Sequence, residues 1–244
     1  MNNKVEILGV PFSKLTMKET LDLLEKTLQD NQDKPFHLIT ANPEFVVGAL
    51  QEPILEEIAA EADLITPDGI GIVMASRWYG DPVPERVAGY DLLLQLLEEG
   101  NRKKWSFYFL GSSEEVSELA TDKIKERYPN LIIAGRHNGF FKDKEAEVLA
   151  EINTVKPDFL IVALGAPRQE VWIHQKKAFL HTKIAIGVGG SLDVIAGKVK
   201  RAPLFWQKLN LEWFYRLISQ PSRWKRQLAL PKFALKAYIA AKKK

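Results

Sequence analysis

Asp63-Leu-Ile-Thr-Pro-Asp-Gly-Ile-Gly71 is the stretch on which the fold turns. An apolar strand ends in Thr66-Pro67-Asp68-Gly69, and a helix-like stretch, residues 70–79, follows at once. A carboxylate at the carboxyl end of a buried strand stands where open α/β sheets hold their ligands. The proline and glycines define the turn, so the acid is held rather than mobile. Asp68 also has a plainer reading as the N-cap of the helix behind it.

Four more stretches repeat this pattern of an apolar strand, a small or polar turn and a helix-like run. They are His37-Leu-Ile-Thr-Ala-Asn-Pro-Glu44, Trp105-Ser-Phe-Tyr-Phe-Leu-Gly-Ser-Ser113, the run Asp158-Phe-Leu-Ile-Val-Ala-Leu-Gly-Ala-Pro-Arg-Gln-Glu170, and Lys183-Ile-Ala-Ile-Gly-Val-Gly-Gly-Ser-Leu-Asp193. Amphipathic helical stretches, such as residues 114–128 and 144–155, lie between them. An opening strand at 5–10 and a helix at 18–30 fit the same scheme. Strands alternating with helices predict a Rossmann-like α/β fold, a mainly parallel sheet with helices on both faces. All five turns then fall on one edge of the sheet, gathering Thr40, Asn42, Asp68, Gly111, Gln169 and Gly190 along a single cleft.

At 244 residues with 46% apolar residues, the chain can bury a substantial core. It has no cysteine, which excludes disulfides, thiolate metal sites and cysteine nucleophiles and suits a reducing cytosol. Neither a signal peptide nor a run of ~20 apolar residues able to cross a membrane is expected. The net charge of +3 hides an asymmetry. Residues 201–244 hold eleven Lys or Arg against one acid, Glu212, whereas residues 1–200 hold 23 against 30 acids. The chain therefore reads as an α/β core over 1–200 and a basic helical appendage over 201–244. Within it Trp206, Trp213, Phe214, Tyr215, Trp224, Phe233 and Tyr238 alternate with Arg216, Arg223, Lys225, Arg226, Lys232 and Lys236. Aromatics beside cations on amphipathic helices suit an anionic membrane surface, while a helical hairpin packed on the core is the plainer reading. Nucleic acid is not expected as a partner, because no recognised module is present and the body is acidic.

Leu110-Gly-Ser-Ser-Glu-Glu-Val116 ends a strand and opens a helix, so it suits either a phosphate or an ordinary N-cap. Gly187-Val-Gly-Gly-Ser-Leu-Asp193 lacks the third glycine of a dinucleotide fingerprint and comes late in the chain. Arg86, beside a glycine turn, has the fork geometry for a phosphate or carboxylate, or else makes a surface salt bridge. Asp91 reads as the cap of residues 92–98. Gln169 can hydrogen-bond a sugar hydroxyl or a base. No Asp-x-Asp metal-diphosphate motif occurs, and His174 and His181 lack a matching carboxylate pair in sequence, so no catalytic metal and no cofactor is expected. Serine hydrolase chemistry has no Gly-x-Ser-x-Gly elbow to support it.

Thr40-Ala-Asn-Pro-Glu44, Thr66-Pro-Asp-Gly-Ile-Gly71, Glu85-Arg-Val-Ala-Gly89, Gly165-Ala-Pro-Arg-Gln-Glu170 and residues 187–203, in this order, resemble the WecG/TagA/CpsF family of bacterial glycosyltransferases. The resemblance runs from Val5 to about Arg226. It implies an inverting, metal-independent transfer of a sugar, N-acetylmannosamine foremost, from a UDP-sugar donor to N-acetylglucosamine on an undecaprenyl diphosphate, as in wall teichoic acid synthesis. Asp68 matches the family's general base, Thr40 and Asn42 the sugar pocket, and Arg86 and Gln169 further pocket residues. Arg216 and Arg223 match tail arginines that stabilise the leaving diphosphate. The family also implies a homo-oligomer in at least one state and a peripheral place on the inner face of the cell membrane. A nucleotide-sugar epimerase or dehydrogenase using the late glycine turn, a related hexosyl- or hexosaminuronyltransferase, and a non-catalytic membrane-binding module are the competing readings.

Overall fold

The computed structural model describes residues 3–30, 33–209, 211–219, 224 and 228–243. Its centre is a six-stranded parallel sheet of β3 (Phe36–Ala41), β4 (Leu64–Pro67), β5 (Ser106–Gly111), β6 (Ile132–His137), β7 (Phe159–Ala163) and β8 (Ile184–Gly187), in the order β4-β3-β8-β7-β5-β6. Every residue of β4, β7 and β8 is buried, as expected where helices cover both faces of a parallel sheet.

The faces follow from strand alternation. Leu38 joins one apolar cluster with α1 (Met17–Gln29), α5 (Gly89–Lys103), α6 (Glu114–Arg127) and α9 (Ser191–Ile195). Its neighbours Ile39 and Ala41 point the other way, toward α2 (Pro43–Ala49), α3 (Pro53–Glu61) and α4 (Ile70–Trp78). Beyond them, α7 (Glu145–Val155) and α8 (Arg168–Lys176) cover that second face. Thus β3 and β7 feed helices on one face, while β8 between them feeds α9 on the other. The carboxyl ends of these strands flank a crevice of the kind that holds ligands.

Two points need correction, one strand expected in the wrong place and one strand not expected. Residues 5–10 are not one strand of the main sheet. They belong to an antiparallel hairpin, β1 (Lys4–Ile7) and β2 (Val10–Ser13), turned by Leu8 and Gly9 at φ of 52° and 84°. Leucine is a rare residue at positive φ, so the turn gives little sequence signal. The second is β6, an edge strand whose later residues, Gly135-Arg136-His137, look polar and turn-like, which hid it.

Beyond α9 the chain forms α10 (Leu204–Lys208), α11 (Glu212–Ser219) and α12 (Ala229–Ala241). Helix α12 returns to the body and packs on α2 and α4. Phe233 and Ala237 enter the cluster around Phe45, Val46 and Ile72, and Trp78 meets Tyr238 edge to face at 5.8 Å between ring centroids. Phe233, one of the tail's interleaved aromatics, is therefore core, only 1% exposed. Helices α10 and α11 differ, leaving Leu204, Phe205, Trp213, Phe214 and Ile218 exposed.

At the amino end of β3, His37 is buried, its backbone N–H donating to Asp63 Oδ2 at 2.7 Å. Burial above all, with Lys177 and His174 assisting and Asp63 opposing, pushes its ring from 6.5 down to about 3. The unfolded chain takes a proton there below pH 6.5 and the folded chain does not. Stability is therefore lost as pH falls through that window, by about 2 kcal/mol from this residue between pH 7 and pH 5. Urea unfolding of the wild type and His37→Gln at both pH values checks this, with the variant expected to lose correspondingly less. An equal loss in both proteins would place the pH sensitivity elsewhere.

Candidate active site

Asp68 ends β4 just as expected from the sequence, yet it does not cap the helix behind it. Gly69 holds the N-cap position of α4 at φ 106°, with no side-chain cap bond. The Asp68 backbone N–H donates to the Ala41 carbonyl at 2.9 Å, tying the turn to the end of β3. Its Oδ2 accepts the Gly89 N–H at 3.2 Å, at the first turn of α5. The carboxylate thus faces a helix N-terminus contributed from elsewhere in the chain, where the helix dipole favours negative charge. Thr40 closes the same corner. A Cβ placed on Gly89 would stand 2.6 Å from Thr40 Oγ1, so glycine is required for the close approach of α5 to β3.

Asn42 lies one turn away as the N-cap of α2, its Oδ1 accepting the Phe45 N–H at 3.0 Å. Gln169 is placed differently from expectation. Only 3% exposed, it accepts the Gly189 N–H on Oε1 at 2.9 Å and donates Nε2 to Glu170 Oε1 at 2.8 Å. It fills the space beside Gly187, where a Cβ would meet Nε2 at 2.5 Å. Gln169 is therefore a strut beneath the glycine turn rather than a side chain open to the cleft. Gly190 leads into α9, but the positive φ of that turn belongs to Gly189, at 54°. Gly111 adjoins β7, with the Ala163 carbonyl 2.4 Å from where its Cβ would be. The turn after it is closed by Ser113, whose Oγ accepts the Val116 N–H at 3.3 Å as the N-cap of α6.

Arg86 is no surface salt bridge. Its side chain is 21% exposed, and Nη2 reaches Glu212 Oε2 at 3.2 Å and Asp91 Oδ2 at 3.4 Å. Burial acts to lower its pKa, but Asp68 first, then Glu212 and Asp91, outweigh this and raise it, so the guanidinium is firmly charged. Asp91 is not the cap of α5 either, that position being Ala88. Asp91 instead receives Arg201 Nη2 on both oxygens at 2.7 and 2.9 Å. Arg201 also lies over the Tyr90 ring at 4.8 Å. Sequence reading missed Arg201 and Glu212 as site residues. The available signal was that Glu212 is the one acid in a strongly basic segment. Arg216 lies on α11 with its side chain outside the described residues, and Arg223 lies outside them altogether.

Two cavities adjoin this region without including Asp68. One of about 250 Å³ lies between Glu44 and Gly48 of α2, the Ala166-Pro167 turn and Lys232 of α12. The other, of about 300 Å³, lies between Tyr90 of α5, Lys123 and Arg127 of α6 and Val194 of α9. A carboxylate pair does meet His174, contrary to expectation. Glu57 and Glu61, one turn apart on α3, stand 3.4 and 3.8 Å from its two ring nitrogens. These three side chains could hold a metal ion. They lie by His37, at the amino ends of the strands, and not beside Asp68.

Comparison with known proteins gives a consistent result. The family model described as Glycosyl transferase WecG/TagA/CpsF family matches residues 5–244. The chain is 43% identical over 210 residues, 86% of its length and 81% of the relative's, to the N-acetylglucosaminyldiphosphoundecaprenol N-acetyl-beta-D-mannosaminyltransferase of Bacillus spizizenii. Proteins of the same description are 39% identical in Bacillus subtilis over 93% of this chain and 88% of that one, and 35% identical in Staphylococcus aureus over 98% and 94%.

Proposed function

The chain belongs to the WecG/TagA/CpsF family of glycosyltransferases, and on that premise we propose that it moves N-acetylmannosamine from UDP-N-acetylmannosamine to undecaprenyl-diphosphate-linked N-acetylglucosamine. The acceptor is the one named for its relatives in Bacillus and Staphylococcus. Asp68 takes the proton from the acceptor sugar hydroxyl as that oxygen attacks the donor's anomeric carbon. The bond from that carbon to the UDP oxygen breaks, UDP leaves with the bonding electron pair, and the anomeric centre inverts.

The observation that carries this reading is the setting of Asp68 at the carboxyl edge of the sheet. The Gly89 N–H holds one carboxylate oxygen, and the guanidinium of Arg86 is close enough for the two opposite charges to stabilise each other. Thr40 and Asn42 border the sugar, and Arg86, Arg216 and Arg223 offset the charge that develops on the leaving diphosphate. Gln169 contributes by supporting the Gly187–Gly189 turn. Exposed Leu204, Phe205, Trp213, Phe214 and Ile218, within a basic segment, support contact with an anionic membrane surface on the cytoplasmic side. No helix among the described residues is long and apolar enough to cross a membrane. A nicotinamide reading has less support, because this turn lacks the third glycine of the dinucleotide fingerprint and comes late in the chain.

The test is UDP release from UDP-N-acetylmannosamine, with and without the lipid-linked acceptor, in the presence and absence of EDTA. Release is expected only with both substrates and unchanged by EDTA. Release without an acceptor, or a chelator-sensitive rate, would count against the proposal.

A further inference from the structure

Four side chains close a ring of alternating charge beside Asp68. Arg86 and Asp91 come from the body, Arg201 and Glu212 from the segment beyond residue 200. Two contacts cross between these parts, Arg86 to Glu212 at 3.2 Å and Arg201 to Asp91 at 2.7 Å. The other two, Arg86 to Asp91 and Arg201 Nε to Glu212 Oε1, are each 3.4 Å. Glu212 is 8% exposed although it is the only acid in residues 201–244. A carboxylate so deeply buried is retained only where it is paired.

The two bonds that Arg86 makes among the described residues both leave from Nη2. A guanidinium is planar and offers five N–H donors in a fixed fork, so fastening one nitrogen sets the direction of the rest. Among the described residues Nε and Nη1 have no hydrogen-bond partner, which leaves them for a ligand.

We infer that Glu212 is a positioning residue for Arg86. It grips one corner of the guanidinium and presents the remaining donors to the diphosphate of the nucleotide donor, so that Arg86 is aligned only when α11 is seated on the body. This rests on the reading of Arg86 as a diphosphate contact, and it adds a role for the tail's acid to those proposed for its arginines. Seating of the tail is thereby read out inside the site through one ion pair.

The experiment is titration of the purified full chain with UDP, together with steady-state donor KM and kcat, for Glu212→Gln, Arg86→Gln and the double variant. Thermal melts establish that each is folded, and Arg86→Lys replaces Arg86→Gln if the latter melts early. Arg86→Gln is expected to weaken UDP binding by roughly ten- to a hundredfold, the usual effect of losing a hydrogen bond to a charged group. Glu212→Gln keeps the shape and removes the charge, and it is expected to weaken UDP roughly tenfold with donor KM rising. In the Arg86→Gln background the Glu212 change should then add nothing, since its effect runs through the missing guanidinium. Protease resistance of residues 201–219 should survive in Glu212→Gln, because Arg201 still holds Asp91 by both oxygens.

Equal losses from Glu212→Gln in both backgrounds would overturn the inference and make Glu212 a docking residue only. Tighter UDP binding in Glu212→Gln would overturn it the other way, making the carboxylate a rival anion for Arg86. Unaltered UDP affinity in Arg86→Gln would remove the premise itself, a result distinguishable from either failure of Glu212.

Discussion

Replacing Asp68 by alanine is expected to lower turnover about 10²- to 10⁴-fold, the range of a general base, with UDP affinity little changed. The size follows from what the carboxylate does in the proposed step. It receives a proton only as the acceptor oxygen attacks, so its loss removes an interaction of the transition state and should leave ground-state binding alone. Asp68→Asn is the sharper variant. It keeps an oxygen for the Gly89 N–H, so the corner between β3, β4 and α5 stays intact while proton uptake is lost. Single-turnover rates beside UDP titrations give the comparison. Transfer by Asp68→Asn near the wild-type rate would assign the base role to another group and leave Asp68 as an anchor for α5.

The second large effect is on stability. Phe233→Ala is expected to cost about 3–5 kcal/mol, the range for emptying a buried aromatic site. The ring lies between α2 and α4, and a Cβ on Gly71 would come within 3.8 Å of its Cε1 and 2.9 Å of Pro43 Cγ. Gly71 is therefore bare on the side where α12 and α2 close over α4, two residues after Gly69. Leu235→Ala is the control, since Leu235 is exposed on the same helix and its loss should shift stability by no more than about 0.5 kcal/mol. Urea unfolding midpoints measure both. A small effect at Phe233 would mean that α12 rests on the body without contributing to its core.

Much of the fold was legible because a parallel sheet writes its buried strands as unbroken apolar runs. Leu160-Ile161-Val162 and Ile184-Ala185-Ile186 are unmistakable, and the turns after them locate the ligand edge. β6 was not legible, because none of its residues is fully buried and its later ones, Gly135-Arg136-His137, are polar or turn-like. Position along that edge placed Thr40, Asn42 and Asp68 in one corner. It misjudged Gln169, because spacing along a chain does not say whether an amide faces the cleft or the turn beneath it. Arg201 and Glu212 were hidden for a different reason. Their partners, Asp91 and Arg86, are more than a hundred residues away in sequence, and only the return of the tail brings opposite charges together. The same holds for His174, whose two glutamates come from another helix.

The burial of Phe233 changes what kind of object the basic segment is. Ala202 is buried at one end of it and Phe233 at the other. The chain between them is a strap buckled at both ends rather than a tail free at one. Under the role proposed for Arg216 and Arg223 at the diphosphate, such a tether holds their local concentration on the order of millimolar. The entropy of closing that loop is lost once, on folding, and need not be lost again each time a diphosphate arrives.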